Sequence, residues 1–383
     1  MSMRHQPKIL LLGDYSNCQR TLAIGLRRLG CDVTLVSNGS FWMNCDRDID
    51  ISLRPGKLGG LHLYYKMMHS LRDVLSGYDI VSINEPNFVS LRPQLLRRIF
   101  DRIKNDNGAV FLNAMSTDLY FLDMLEDKNS PLRYSEWFVD GQPSRMYMAA
   151  PESWRAWHNK ALVDYHRYAF SRLDGAVAAL YEYYLGLTYG LPADKIAYAG
   201  IPIDTEALKP VTLPDKIDCV RLFLGRDKTR KLQKGSDYLE EAARRVIARH
   251  PGKAELTIVE NRPFDEFVTL LKSAHVVLDQ IYSYTPATTA LMAMSYGLNV
   301  VSGAEPEFYD FIGEHDNRPI INAPLDLDSL TDTIEQIVLH PELIAERGRQ
   351  SRSFVEKHNA CEIVARRCLD FWTSRIDKNA AQC

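Results

Sequence analysis

The sequence predicts an α/β protein built from two doubly wound, Rossmann-like domains. Three observations carry that prediction. Short apolar runs alternate with stretches of helical spacing in two separate series, the pattern of buried parallel strands covered by helices. A stretch with three prolines and little periodicity, "IPIDTEALKPVTLPDK", separates the two series. A length of 383 residues favours two domains over one or three.

The first series opens with the strand "KILLLGD", whose apolar run is too short for a signal-peptide core. The helix "CQRTLAIGLRRLG" and the strand "CDVTLVSN" follow. The rhythm continues through "LYYKMMHSLRDVLSG", "YDIVSIN", "LRPQLLRRIFDRIKN" and "GAVFLNA". Residues 119–155 break it: they are rich in aromatic and charged residues and read as an insertion with short helices. A long helix is expected over about 154–172, then the strand "DGAVAAL", the helix "YEYYLGLTYG" and the short strand "KIAYAG". His158 and His166 lie eight apart on that long helix and suit a satisfied surface or core role. The second series runs "CVRLFLG", "SDYLEEAARRVIARH", "AELTIVE", "FDEFVTLLKSA", "HVVLDQ", "TTALMAMSYG" and "NVVSG", and two further helices close it.

Composition excludes several classes. The chain is 46% hydrophobic and 25% charged with a net charge of −3, so nucleic acid is not expected as a partner. Its seven cysteines, at 18, 31, 45, 219, 361, 368 and 383, form no C-x-x-C pair and read as reduced cytosolic thiols rather than zinc ligands. No run approaches the roughly 20 apolar residues of a membrane span, so any membrane contact is peripheral. The basic amphipathic stretch "LRPQLLRRIFDRIKN" presents either a solvated face or one that docks on an acidic membrane surface. The triplets in "DRDID" and "LDLD" fall outside strand ends, and no metal is assigned to them.

In open α/β sheets ligands bind beyond the carboxyl ends of strands, so the loops after Leu12, Asn113, Leu224 and Asp279 are the places to search. The first turn, Gly13, Asp14, Tyr15 and Ser16, is able to approach a phosphate or an acceptor. It lacks G-x-G-x-x-G, so no dinucleotide cofactor is expected. The loop after Asp279 leads into a helix opening at Thr288 or Thr289, whose unpaired N–H groups and positive dipole end suit an anion.

Residues 196–376 resemble the C-terminal half of GT-B glycosyltransferases of the retaining family-four type. "AGIPIDTEALKP" is similar to the family's "NGVDxxxFxP" crossover, and "LFLGRDKTRKLQKGSDYLEEAARRV" to its "GR…KG" strand-loop-helix. "LLKSAHVVLDQIYSYTPATTALMAMSYGLNVVSGAEPEFYDFI" resembles "LxxADV…EGFGLPxLEAMAxGxPVV…E". The N-terminal half fits in architecture. The resemblance implies domains over 1–203 and 204–360 facing across a cleft, with 361–383 returning as a helix to the first. It implies a metal-independent hexosyltransferase with no cofactor. A nucleotide-diphosphate sugar would be co-substrate and a glycan or lipid-linked molecule the acceptor, in bacterial surface polysaccharide assembly.

By that resemblance Lys234 and Arg226, with Arg230 as a substitute, hold the departing diphosphate, because fixed cations stabilise charge that grows in the transition state. Tyr284 stands where the family's first glutamate meets the transferred sugar. Thr285, Pro286, Ala287, Thr288 and Thr289 stand where backbone N–H groups meet sugar and phosphate. Met292 replaces the second glutamate, which accepts from the ribose hydroxyls, at a cost of about 1.5–3 kcal/mol, or about 10- to 150-fold in donor affinity. Glu307 lies near a further family glutamate, and either caps a helix or meets the ligand. Asp279 and Gln280 are expected at the strand end. Asp118 orients acceptor or sugar, or is a plain helix cap. Two rival readings remain: a non-catalytic glycan-binding or partner subunit with a degenerate donor site, and a nucleotide-sugar epimerase of the same fold.

Overall fold

The computed structural model describes residues 7–214 and 216–382, so Cys383 lies outside the described residues. The chain forms two compact units, one made of residues up to Asp127, Glu152–Pro202 and the chain from Cys361 onward, the other of Lys128–Pro151 and Ile203–Ala360.

The first unit carries β1 (Lys8–Leu12), β2 (Asp32–Ser37), β3 (Ile49–Asp50), β4 (Ile80–Ile83) and β5 (Ala109–Ala114). After the short hairpin strands β6 (Phe138–Val139) and β7 (Gln142–Pro143), which belong to the other unit, come β8 (Gly175–Ala178) and β9 (Ile196–Tyr198). Their order, β3-β2-β1-β4-β5-β8-β9, is parallel throughout. Alternate side chains of one strand enter opposite cores, as the pleat dictates. Leu10 and Leu12 join Leu96, Ile99, Phe100 and Ile103 of helix Pro93–Asp106. Ile9 and Leu11 join Leu22 and Leu26 of helix Cys18–Arg28 together with Trp372. Both sheet faces are thereby covered, which is why the strands read as continuous apolar runs.

Two sequence expectations change here. The amphipathic helix Pro93–Asp106 turns its apolar stripe into the core, and its Arg97 lies 3.8 Å over the Tyr168 ring. That face is not available to a membrane. The expected long helix is two, Pro151–Trp157 and Lys160–Arg172. The break comes from Asn159, whose side chain accepts the Ala161 N–H at 3.0 Å and so caps a new helix instead of continuing the old one. His158 thus sits in the turn between the two helices and His166 on the second. His158 Nδ1 lies 3.0 Å from the Trp154 carbonyl, and burial pushes His166 down to about 4.

Helix Cys361–Gln382 packs along helix Cys18–Arg28 within the first unit. Gly25 permits the close approach, since a Cβ there would lie 2.2 Å from the Cys361 carbonyl oxygen. Trp372 is fully buried against Phe111.

The second unit carries β10 (Val220–Arg226), β11 (Ala254–Glu260), β12 (Val276–Leu278), β13 (Asn299–Ser302) and β14 (Ile321–Asn322), in the parallel order β11-β10-β12-β13-β14. Helices Ser236–Arg249 and Leu327–Leu339 pack together beside it, contributing Leu239, Ala243, Leu330 and Ile334 to the core. The proline-rich stretch is tied down rather than loose: the Arg352 guanidinium donates to the carbonyls of Thr205, Leu208 and Ser295 at 2.5–2.7 Å. The segment 128–151, which sequence order assigns to the first domain, packs with this second unit. Its Arg145 forms an ion pair with Asp237 and lies 3.9 Å over the Tyr238 ring.

Candidate functional site

The strand order of the second unit reverses between β10 and β12, which is where an open parallel sheet leaves a crevice for ligand. The loop after β10 ends in a single helical turn, Lys231–Lys234, closed by Gly235 at φ 66°. Only glycine fits there, because Ile281 would sit 2.3 Å from an added Cβ. The Ile281 N–H in turn donates to the Lys234 carbonyl at 3.0 Å, stitching the loop after β10 to the loop after β12.

That stitch fixes Lys234. Its ammonium donates to Asp279 Oδ1 at 3.1 Å, and Ser302 Oγ donates to Asp279 Oδ2 at 3.0 Å. Asp279 is buried, while the Lys234 side chain keeps 26% of its surface exposed. A cation is therefore anchored from below by a buried carboxylate at the ends of β12 and β13, with its outer side open. The loop after β12 leads into the eight-residue helix Thr288–Ser295, which begins with Ala287 as N-cap and no side-chain capping bond. The helix start adds a fixed positive dipole end to the same loop. Thr285 is buried, Pro286 likewise, and Thr288 and Thr289 are half-buried at the helix start; Gln280 donates to Ser283 Oγ at 2.7 Å.

The remaining residues expected at the donor are engaged elsewhere. Tyr284 is 1% exposed; its hydroxyl accepts the backbone N–H of Arg133 at 2.7 Å, and its ring stacks at 4.7 Å on Tyr134. Met292 is buried, on a helix turn that faces the protein. Arg226 lies on the β11 side of β10, where Glu260 and Glu240 accept its Nε and Nη1 at 2.6 and 2.5 Å. Two carboxylates already match its charge. Arg230 bonds Gln233 on the exposed loop. Glu307 accepts from Arg133 Nη1 at 2.6 Å through Oε1, and its buried Oε2 has no partner.

Arg133 is the residue sequence reasoning missed. Besides Tyr284 and Glu307 it donates to Glu305 Oε2 at 2.5 Å, and Glu305 Oε1 accepts from Tyr134 and Asn322 at 2.7 and 2.8 Å. The aromatic and charged composition of 119–155 marked the insertion as unusual. Nothing in local periodicity pairs position 133 with position 307.

In the first unit the turn after β1 is built mainly for structure. A Cβ on Gly13, at φ 83°, would lie 1.9 Å from Asn84 Oδ1. Asp14 is buried and accepts the Gln19 N–H at 2.8 Å, while burial raises its carboxyl above the ordinary range. The Tyr15 carbonyl accepts from the Cys18 N–H, and Ser16 takes a left-handed conformation at φ 52°. Asp118 is the N-cap of helix Leu119–Glu126, accepting the Phe121 N–H at 2.9 Å. Burial pushes it up to about 6, against the pull of its backbone donors. Near it, Ser116 donates to Glu85, a half-buried carboxylate likewise raised by desolvation.

No family model and no curated protein matches the chain. Solved structures do match. A glycosyltransferase from Rickettsia africae aligns at 13% identity over 97% of this chain and 99% of its own, with a TM-score of 0.58. Sucrose-phosphate synthase from Thermosynechococcus elongatus aligns at 14% over 96% and 98%, with a TM-score of 0.60. HepE from Anabaena, solved with UDP and glucose, aligns at 14% over 96% and 100%, with a TM-score of 0.56. The likeness spans nearly the whole of each chain, and with the two parallel sheets it establishes that this protein has the GT-B fold of glycosyltransferases.

Proposed function

We propose that the chain is a glycosyltransferase that moves a hexosyl group from a nucleotide-diphosphate donor to a glycan or lipid-linked acceptor. The observation that carries this reading is Lys234, an ammonium anchored on buried Asp279 at the switch point of the second sheet. Held there before reaction, it needs no reorganisation as negative charge grows on the leaving diphosphate. The helix start at Thr288 supplies backbone dipoles for the same anion. The acceptor hydroxyl attacks the anomeric carbon on the face the diphosphate leaves, so configuration is retained. The bond to the diphosphate oxygen breaks, and a phosphate oxygen takes the hydroxyl proton.

HepE is solved with UDP and glucose, which supports a uridine nucleotide as the first donor to test. The reading assigns no metal and no cofactor. It places the protein in the cytoplasm, peripheral at the inner face of the membrane, in assembly of surface polysaccharide. Among the described residues no helix is long and apolar enough to cross a membrane.

One observation favours the second reading, a glycan-binding partner subunit: Tyr284, Met292 and Arg226 are all engaged within the protein. A thermal-shift panel of nucleoside diphosphates and nucleotide sugars separates the two. The transferase reading expects a shift with at least one diphosphate, and acceptor-dependent release of that diphosphate. Absence of binding at millimolar concentration would leave the subunit reading in place.

A further inference from the structure

Seven non-glycine residues take a left-handed backbone among the described residues, and five of them stand in two adjoining turns of the first unit. Ser16 and Asn17 follow β1, and Ser40, Phe41 and Asn44 follow β2. These strands are neighbours, and β1 borders the switch point against β4, where an open sheet leaves a crevice. For Phe41, at φ 54°, the conformation is an outlier for a bulky side chain. Several bonds hold it. The Asn17 N–H donates to Ser40 Oγ at 2.8 Å, and the Cys45 N–H to the Gly39 carbonyl at 2.8 Å. Arg47 Nη1 donates to Asn44 Oδ1 and the Cys45 carbonyl at 3.0 and 2.8 Å. The turn so fixed presents Phe41 and Trp42 to solvent, 66% and 61% exposed. A strained backbone that holds two large aromatic side chains out of the core points to a ligand rather than to packing.

Charge and hydrogen bonding decide the ligand. Residues 38–50 hold three carboxylates, Asp46, Asp48 and Asp50, and one cation, Arg47. Arg20, Arg27 and Arg47 pair with those carboxylates, and Asp14 lies near both Ser40 and Cys45, which flank the aromatic pair. No cation of this turn is left to attract a phosphate or an acidic headgroup; Arg54 and Lys57 come only after β3. Two acceptors of the adjoining β1 turn are unmatched: Asn17 Oδ1, and the Oδ1 of buried Asn84, which faces Gly13. Apolar surface beside unmatched acceptors calls for an uncharged molecule with a C–H face and hydroxyl donors on its rim. A pyranose ring has that chemistry. We propose that Phe41 and Trp42 form a stacking platform for a neutral pyranose of the acceptor, whose rim hydroxyls donate beside Asn17. The inference rests on the transfer to a glycan proposed above and names the part of that acceptor the protein recognises.

Saturation-transfer NMR of the full chain is run with millimolar methyl glycosides of glucose, galactose, mannose, N-acetylglucosamine, fucose and rhamnose, and with methyl glucuronide. At least one neutral glycoside is expected to bind, with saturation strongest on the C–H protons of one ring face. Trp42→Ala should lower its affinity about tenfold or more, and Trp42→Phe should keep it within about threefold of wild type. Asn17→Gly should weaken it about threefold or more, glycine being the residue that keeps φ 65° without strain. Circular dichroism and melting check that the variants fold. No binding by any neutral glycoside overturns the inference, as does unchanged affinity in folded Trp42→Ala. Methyl glucuronide binding more tightly than methyl glucoside overturns the neutral class. Vesicle binding or self-association that Trp42→Ala abolishes, with no glycoside bound, overturns the platform in favour of a membrane or a second copy. Nucleoside diphosphate binding is scored separately: a wild type that binds a glycoside but no diphosphate sinks the transferase reading and leaves the platform standing.

Discussion

Replacing Lys234 by alanine should do two separable things. The first is local and structural. Asp279 is buried, and its carboxylate is held by Lys234 at 3.1 Å and Ser302 at 3.0 Å. Removing one partner of a buried pair costs about 3–5 kcal/mol. The Lys234 side chain is a quarter exposed, so water recovers part of that, and about 2–3 kcal/mol is expected here. For a cooperative unit of this size, each kcal/mol lowers Tm by about 2–4 °C, giving a fall of about 4–12 °C. The second effect is chemical. Loss of a fixed cation at the leaving group should lower kcat by roughly 100-fold or more with little change in KM. The double variant Lys234→Ala with Asp279→Asn distinguishes them. It removes the orphaned charge and should recover more than half of the lost Tm, while turnover stays low. Melting is followed by fluorimetry, and turnover by nucleoside diphosphate release from the donor that gives the largest thermal shift. Unchanged turnover in Lys234→Ala refutes the leaving-group role. Turnover that returns in the double variant shows that Lys234 acted only by satisfying Asp279.

Met292→Glu should lower Tm and leave uridine diphosphate affinity unimproved, because the new carboxylate enters a buried position without a partner; tighter binding measured by calorimetry would place Met292 in the donor pocket after all. Asp118→Asn tests whether Asp118 is a cap or an acceptor-orienting group. Its folded pKa, about 6, lies above the usual 3.8, so the acid is stabilised on folding below about pH 4, and that stabilisation is lost as pH rises through about 6. Asparagine also caps well, so the variant should melt higher than wild type at pH 8, with the difference shrinking toward pH 4, and should keep its turnover; a turnover loss at every pH would assign Asp118 to the acceptor.

Much of the fold was legible because its signals are local. A strand buried on both faces must be apolar along its length, and "KILLLGD", "YDIVSIN" and "HVVLDQ" say so without reference to anything distant. The same holds for the helix opening at Thr288, whose position follows from residue type and spacing. Capping by Asn159 is local too, and was hidden only because "AWHNKALVDYHR" keeps helical periodicity across the break.

The site was legible only where a backbone feature defines it. Lys234 beside Gly235 marks a loop, but its distance to Asp279 depends on how β10 and β12 pair, a matter of register between segments 45 positions apart. Whether an arginine is open to a ligand or already matched cannot be read from its neighbours in sequence. Arg226 is taken by Glu240 and Glu260, and Arg133 reaches Glu305 and Glu307 from an insertion more than 170 positions earlier. Exposure follows the same rule. "LRPQLLRRIFDRIKN" and "KLGGLHLYYK" both mix cations with apolar residues, yet the first turns its apolar side into the core and the second leaves Leu58, Leu61 and Tyr65 in solvent. Sequence sets which side chains a segment carries and the period at which they recur. Tertiary packing decides which of its faces the sheet covers, since burial is a property of neighbours that the chain brings together only on folding.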